Sequence, residues 1–210
     1  MNFDPETAKQ ITEIILAFLA YSFLHSFFAA IRVKKWFTEH FPEFTPFYRI
    51  TYTVTQTVLF FLMMFYLPRP DDSIWNLQGT LYWLFRLVQL TGIIGFIWAL
   101  SSFSLTEFIG LKQLTQLKSL SAGKENMTDD SFHSQGAFKY MRHPLYFFTI
   151  VIFLFEPHMT LFRFLFLTWL IAYIWIGSIL EENRMEILFG ETYQNYRQKV
   201  NRFIPGVFKD

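Results

Sequence analysis

The sequence has no cysteine and few charged residues. Without cysteine there is no disulfide framework, no thiolate metal site and no cysteine nucleophile. Charged residues make up 17% of the 210 residues, whereas soluble domains carry about 25%. The formal net charge is +1, so nothing in the charge balance indicates nucleic-acid binding. We therefore predict neither a nucleic-acid partner nor a metal.

Apolar residues take the place of the missing charges. They form 52% of the chain, aromatic residues form 21%, and 28 residues are phenylalanine. This is more phenylalanine than a water-soluble core of this size requires. The composition predicts a multi-pass integral membrane protein in contact with membrane lipid.

Five apolar segments are candidates for membrane-spanning helices. One of them, His143–Phe155, is shorter than the others, and we predict that it crosses by extending back to about Phe138 with its charged residues at the membrane surface. It ends at Glu156-Pro157, because proline excludes the helical conformation of the residue before it. We predict an all-α membrane protein with five transmembrane helices, the last two forming a hairpin. The other four segments lack charge and approach the roughly 20 residues needed for a crossing: Ile14–Ile31, Ile50–Pro68, Leu87–Thr106 and Phe164–Leu180.

The loops predict the orientation of these helices. Basic residues concentrate in the first and third connections and in the tail, whereas the connection at 68–80 and the turn at 156–163 carry few. By the positive-inside rule the N-terminus lies outside and the C-terminus in the cytoplasm. The single membrane domain then has three parts: a three-helix part at 1–106, a cytoplasmic loop at 107–139, and a C-terminal hairpin with its tail at 140–210.

The predicted cytoplasmic loop contains two kinds of sequence. Residues 108–114 are amphipathic enough to lie on a membrane surface. Residues 119–134 are rich in serine, glycine, aspartate, asparagine and lysine, a composition typical of a mobile loop. A lid over a ligand and a solvated connector are both consistent with this pattern.

The segment Arg142-His143-Pro144-Leu145-Tyr146 precedes the short apolar run. Pro144 suits the first turn of a helix, where its missing N–H costs nothing. His143 then lies near the N-cap, beside free N–H groups and a partial positive charge. Such a position favours a bound ligand, although Arg142 and Tyr146 are equally ordinary anchors at a membrane surface.

Glu181 and Glu182 follow 17 uncharged residues at the end of the last predicted helix. Adjacent helical positions point about 100° apart, so at most one of the two faces the bundle fully. A carboxylate at this position accepts hydrogen bonds from ribose hydroxyls or pairs with an ammonium group. A solvated ion-pair cluster with Arg184 and Glu186 is the alternative.

Polar and small residues inside the apolar segments are candidates for packing or for function. His25 is an intramembrane histidine, a functional candidate that also fits a simple hydrogen bond between helices. Gly92 and Gly95 are predicted to allow close approach of helices, and Gln89 and Thr91 to form hydrogen bonds across them.

The C-terminal part resembles the isoprenylcysteine carboxyl methyltransferase superfamily, which includes phospholipid N-methyltransferases. The resemblance covers residues 136–205 and rests on Gly136, on Arg142-His143-Pro144-Leu145-Tyr146, on Glu181-Glu182 and on spaced residues of the tail. Shorter matches, including His25-Ser26, Tyr48-Arg49 and Pro157-His158, resemble the branch of methanethiol S-methyltransferases and NnrU-like proteins.

The resemblance implies a membrane methyltransferase that uses S-adenosylmethionine, with the cofactor pocket in the cytoplasmic part of the C-terminal half. The acceptor would be a small or lipophilic molecule such as a thiol. Transfer is direct, so the protein contributes positioning and exclusion of water. The implied catalytic residues are His25, Arg142 and Glu182. The implied cofactor-binding residues are Gly136, His143, Pro144, Tyr146, Glu181 and Glu182.

Two departures from the family pattern concern the shape of the pocket. Phe138 stands where the family often has tyrosine, and Phe148 where it often has glycine. Three other functions remain open: a non-catalytic NnrU-like protein with the same fold, methylation of a prenylcysteine carboxylate or a phospholipid amine, and a sterol-reductase-like enzyme. The last has little support, because those proteins are much longer.

Overall fold

The computed structural model describes residues 4–102 and 134–206. The predicted segments at 108–114 and 119–134 lie outside these residues, apart from Ser134. The chain divides into two compact units, one containing residues up to 70 and the other beginning at 71. Both units are mainly helical, as the composition predicts.

The first unit contains α1 (Pro5–Ala29), α2 (Ile31–His40), a short 3₁₀-helix (Pro42–Phe44) and α3 (Thr45–Tyr66). α1 begins at Pro5 because the carboxylate of Asp4 accepts hydrogen bonds from the backbone N–H groups of Glu6 and Thr7, at 3.0 and 2.9 Å. α3 ends before Leu67, which is extended and precedes Pro68.

The second unit contains β1 (Ser73–Asn76), α4 (Gly79–Ser101), a 3₁₀-helix (Gly136–Lys139), α5 (Pro144–Leu154), β2 (His158–Thr160), α6 (Leu161–Phe189) and α7 (Glu191–Lys199). α1, α4 and α6 are long and apolar enough to cross a membrane. These three helices are compatible with the predicted all-α membrane protein.

α5 is shorter than predicted. It begins at Pro144, and the extension back to Phe138 is wrong, because residues 136–139 form a separate 3₁₀-helix. Pro144 disfavours a helical conformation at His143, whose φ and ψ angles are −127° and 65°. At 11 residues, α5 is only about 16 Å long.

α4 and α5 pack closely through the two predicted glycines. A Cβ atom on Gly92 would lie 3.1 Å from the side chains of Val151 and Ile152, and one on Gly95 would overlap the ring of Phe148. The side-chain amide of Gln89 donates to the carbonyl of Ile152 at 2.9 Å. The predicted packing role of the glycines and the cross-helix bond of Gln89 are confirmed. Thr91 bonds instead to Leu87 of its own helix.

A two-stranded antiparallel sheet was not predicted from the sequence. β1 and β2 pair with Ser73 opposite Thr160 and Asn76 opposite His158. The indole N–H of Trp75 also donates to the carbonyl of Glu156 at 3.0 Å. The sheet joins the two connections that carry few basic residues.

Candidate functional site

The site begins at the N-terminus of α5, where the C-terminal tail binds the backbone. The N–H groups of Arg142 and His143 donate to the carbonyls of Asn201 and Arg202 at 2.8 and 3.0 Å. These residues precede the helix, so their N–H groups have no helical partner. The tail therefore fixes the backbone from which the His143 side chain projects.

Glu182 forms the centre of a buried ion cluster. Its residue is 1% exposed. Oε1 accepts from Arg142 Nε at 2.9 Å, His143 Nε2 at 3.1 Å and Arg202 Nε at 3.0 Å, and Oε2 accepts from Arg202 Nη2 at 2.8 Å. A buried carboxylate is stable only with such partners. Both oxygens are thus engaged by the protein itself.

Arg142 connects this cluster to the tail. Its Nη1 donates to the carbonyls of Arg197 and Val200, at 2.9 and 2.5 Å. Its side chain is 10% exposed. Nε and Nη1 of this guanidinium are therefore committed to contacts inside the protein, which indicates a positioning role.

Glu181 is the accessible carboxylate of the pair. Its side chain is 46% exposed, and Oε2 lies 3.5 Å from His143 Nδ1. The hydroxyl of Tyr146 donates to the same oxygen at 3.0 Å. The rings of His143 and Tyr146 stack, with centroids 5.3 Å apart and planes at 8°. Glu181, His143 and Tyr146 thus form a polar and aromatic surface beside the buried cluster.

His143 is held between the two carboxylates. Burial disfavours its charged form, but the hydrogen bonds and negative charges of Glu181 and Glu182 outweigh burial and raise the pKa of the imidazole. The protonated ring donates from both nitrogens, which matches its two carboxylate neighbours.

The raised pKa of His143 predicts a pH dependence of stability. A raised pKa stabilises the fold fully below the unfolded value of about 6.5, and this stabilisation disappears as pH rises through the higher folded value. The thermal midpoint in detergent should therefore fall as pH rises above about 6.5. His143→Gln should lose this fall, whereas His40→Gln, at an exposed position on α2, should retain it. An unchanged slope in His143→Gln would contradict the prediction.

Aromatic residues lie beside His143 and Arg202. Phe203 lies 5.7 Å from His143 and 5.9 Å from Trp175, measured between ring centroids. The guanidinium carbon of Arg202 lies 5.5 Å from the Trp175 ring centroid. Sequence reasoning did not assign Arg202 or Trp175 to the site. The basic residues of the tail could have indicated Arg202, because a carboxylate buried at Glu182 requires cationic partners and the tail supplies cations.

Two tyrosines of α7, Tyr193 and Tyr196, pack beside the site. Burial, with a contribution from the charge of Glu182, raises the pKa of Tyr193 to about 12. Burial also raises the pKa of Tyr196, whose hydroxyl donates to the carbonyl of Phe138 at 2.7 Å. Both phenols are therefore neutral at physiological pH, and Tyr196 ties the 3₁₀-helix to α7.

Gly136 lies where that 3₁₀-helix approaches the end of α4. Its φ is 60°, and a Cβ atom would lie 2.5 Å from Ser102 Oγ, so glycine is required here. The hydroxyl of Ser102 accepts from the N–H of Ala137 at 3.1 Å. The structure thus shows a packing role for Gly136.

His25 lies in the first unit, and its imidazole pairs with Tyr52. The distance from His25 Nε2 to the Tyr52 hydroxyl is 3.0 Å. This matches the alternative of a hydrogen bond between helices. No described part of the chain, residues 4–102 and 134–206, holds a group of histidine, aspartate or glutamate side chains suited to a metal ion.

Comparison with known proteins gives several relatives that match most of the chain. Methanethiol S-methyltransferase 1 of Bradyrhizobium diazoefficiens is 30% identical over 203 residues, covering 96% of this chain and 69% of that protein. A methanethiol S-methyltransferase of Pseudomonas deceptionensis is 30% identical, with coverages of 92% and 72%. One from another Pseudomonas is 32% identical, with coverages of 86% and 68%. The chain belongs to the methanethiol S-methyltransferase family.

The predicted resemblance to this methyltransferase branch is confirmed by these relatives. No family model matches the chain, and no solved structure matches it.

Phe148, a departure from the superfamily pattern, packs against α4. Its ring occupies the space left by the missing side chain of Gly95 and contacts Trp98, with centroids 6.3 Å apart. The large Phe148 on α5 is thus matched by the small Gly95 on α4.

This pairing predicts a compensating double variant. Gly95→Ala should destabilise the protein by about 1–3 kcal/mol, because the added methyl group overlaps the ring. The double variant Gly95→Ala with Phe148→Ala should lose less free energy of unfolding than the sum of the two single losses. Denaturant unfolding in detergent measures both, and Gly177→Ala, where a Cβ atom meets nothing within 4 Å, is the control. Strict additivity of the two changes would contradict the pairing.

Proposed function

We propose that the chain is an integral membrane methyltransferase that transfers a methyl group from S-adenosylmethionine to a small thiol such as methanethiol. The observation that carries the proposal is the match over 96% of the chain to a protein named for this reaction. The exposed Glu181 beside stacked His143 and Tyr146 supports it, because this surface suits a cationic, hydroxyl-rich ligand.

The proposed topology has five crossings, with the N-terminus outside and the C-terminus in the cytoplasm. α3 would add a crossing to the three long apolar helices. α5 is too short to cross alone, so the fifth crossing would include the non-helical residues at its two ends, which pack within the protein. The β1–β2 pairing supports this arrangement, since it joins the two connections assigned to the outer side. The ion cluster then lies at the cytoplasmic face, where S-adenosylmethionine is available.

The residues present suit S-adenosylmethionine. When bound, it would supply a methyl group on a positive sulfonium: the acceptor sulfur would bond to that carbon as the bond from the carbon to the sulfonium breaks, with S-adenosylhomocysteine as the leaving group and the thiol proton passing to solvent. Glu181 would accept hydrogen bonds from ribose hydroxyls. Phe203 and Trp175 would offer aromatic faces toward positive charge.

The proposed roles of Glu181 and Glu182 differ. Glu181 contacts the cofactor, whereas Glu182 holds Arg142, His143 and Arg202 in place. Glu182 and Arg142 are then positioning residues, since their contacts described above lie within the protein. Pro144 starts α5 and so sets the direction of Tyr146. The catalytic role implied for His25 stays a prediction.

The test is methyl transfer from radiolabelled S-adenosylmethionine by the purified protein in nanodiscs. We expect labelled dimethyl sulfide from methanethiol, and little product from phosphatidylethanolamine or a prenylcysteine analogue. Binding of the cofactor is measured in the same preparation by calorimetry. A folded sample that binds no cofactor would sink the proposal in favour of a non-catalytic NnrU-like protein.

A further inference from the structure

The first unit contains a half-open cavity of about 490 Å³ between α2 and α3. One face of α3 forms a wall, because the lining residues recur at helical spacing. This volume lies within the range of small-molecule sites, roughly 300–1,000 Å³. The α3 residues are Phe47, Tyr48, Thr51, Tyr52, Thr55 and Gln56.

The wall of this cavity is mainly apolar, although it contains two tyrosines, two threonines and Gln56. The hydroxyl of Tyr48 donates to the carbonyl of Phe28 at 2.6 Å. The hydroxyl of Tyr52 lies 3.0 Å from His25 Nε2. Because both hydroxyls bind the protein, the rings contribute hydrocarbon surface. Gln56 Oε1 is buried without a hydrogen-bond partner among the described residues, but most of the lining is hydrocarbon and suits an alkyl chain.

The length of the wall matches half of a bilayer. From Phe47 to Gln56 the α3 wall rises about 14 Å, at 1.5 Å per residue. One leaflet of the hydrocarbon core is about 15 Å thick. A chain lying along α3 would thus extend from the membrane surface to about the bilayer centre.

The opposite wall belongs to an amphipathic and basic helix. α2 lines the cavity with Val33, Trp36 and Phe37. The same helix carries Arg32 and Lys35 at exposed positions, and also Lys34. Tryptophan together with basic residues is typical of a helix lying at the membrane surface. Basic side chains there attract anionic lipid headgroups.

We propose that this cavity binds one acyl chain of an anionic phospholipid, with the headgroup paired to the basic residues of α2. The site lies within the first unit and does not depend on the methyltransferase reaction. It would hold α2 against α3 through the bound lipid.

Photocrosslinking tests the proposal. The probe is phosphatidylglycerol with a diazirine on one acyl chain, incorporated with the full-length protein into nanodiscs of phosphatidylcholine. Labelled peptides should map to residues 33–41 and 47–56. Unlabelled phosphatidylglycerol should compete, and phosphatidylcholine carrying the same diazirine should label these peptides less. Equal labelling by the two lipids, or labelling elsewhere only, would overturn the proposal.

A matched pair of variants locates the site on one face of α3. Thr51→Trp fills the cavity, whereas Val54→Trp adds the same side chain at an exposed position that does not line it. Thr51→Trp should lower labelling about tenfold and Val54→Trp should leave it unchanged. Equal effects of the two would overturn the proposal. Arg32→Gln combined with Lys35→Gln should abolish the preference for phosphatidylglycerol while keeping acyl labelling, and it serves as a second test if Thr51→Trp does not fold.

Discussion

Glu182→Gln is expected to lower the free energy of unfolding by about 3–5 kcal/mol, because it leaves buried cations without their counter-charge. The glutamate is 1% exposed, and its partners Arg142 and Arg202 have side chains that are 10% and 23% exposed. Glutamine preserves the volume but removes the charge and one acceptor oxygen. For a chain of this size the thermal midpoint should fall by roughly 6–20 °C.

Two further variants make this prediction specific to the cluster. Glu186→Gln, on the same helix, removes the partly exposed ion pair with Arg197 at 3.2 Å and alters the acceptor of the Gln194 side-chain amide at 2.8 Å, and it should cost about 1 kcal/mol or less. Combining Glu182→Gln with Arg202→Gln should cost less than the sum of the single changes, since fewer cations stay uncompensated. Denaturant unfolding in detergent measures the parent protein, the three single variants including Arg202→Gln, and the double variant. A loss below about 1 kcal/mol for Glu182→Gln would show that the cluster does not hold the site together.

Glu181→Gln is expected to weaken S-adenosylmethionine binding about tenfold to a hundredfold while leaving the fold intact. A hydrogen bond to a charged acceptor is worth about 1.5–3 kcal/mol, and the sulfonium also loses a nearby negative charge. The side chain is 46% exposed, so its replacement costs little stability. Glutamine keeps an oxygen that can accept from Tyr146.

The contrast with its neighbour decides whether Glu181 contacts the cofactor. Calorimetry with S-adenosylmethionine gives the affinity, and the thermal midpoint without cofactor gives the stability. Glu181→Gln should lower the affinity and leave the thermal midpoint unchanged. Glu182→Gln should lower both the affinity and the thermal midpoint, whereas Glu186→Gln should change each of them little. An affinity that is unaltered in Glu181→Gln would remove Glu181 from the cofactor site.

The features that the sequence predicts are those encoded locally. Uncharged apolar runs correspond to α1, α3, α4 and α6 because helix formation in such segments needs no distant partner. The start of α5 follows from Pro144, and the same proline explains why the predicted extension to Phe138 is wrong.

The features that escape prediction depend on residues far apart in the chain. β1 and β2 are four and three residues long and lie in separate connections. Each is too short to show the alternation of apolar and polar residues that indicates a strand. Helical geometry predicts that at most one carboxylate of the pair Glu181-Glu182 faces the bundle fully, and this is confirmed, but it does not predict which of the two is buried. Which one is buried depends on Arg202, 20 positions later, whose guanidinium contacts both oxygens of Glu182.

The contact between the tail and the start of α5 has a consequence for biosynthesis. Arg142 and His143 are bound by the carbonyls of Asn201 and Arg202, which the ribosome adds about sixty residues later. Until those residues have been added, Glu182 lacks Arg202 as a partner. The nascent chain thus passes through a stage in which an acidic side chain is poorly matched. The site is therefore complete only after Asn201 and Arg202 have been made and have docked on the start of α5.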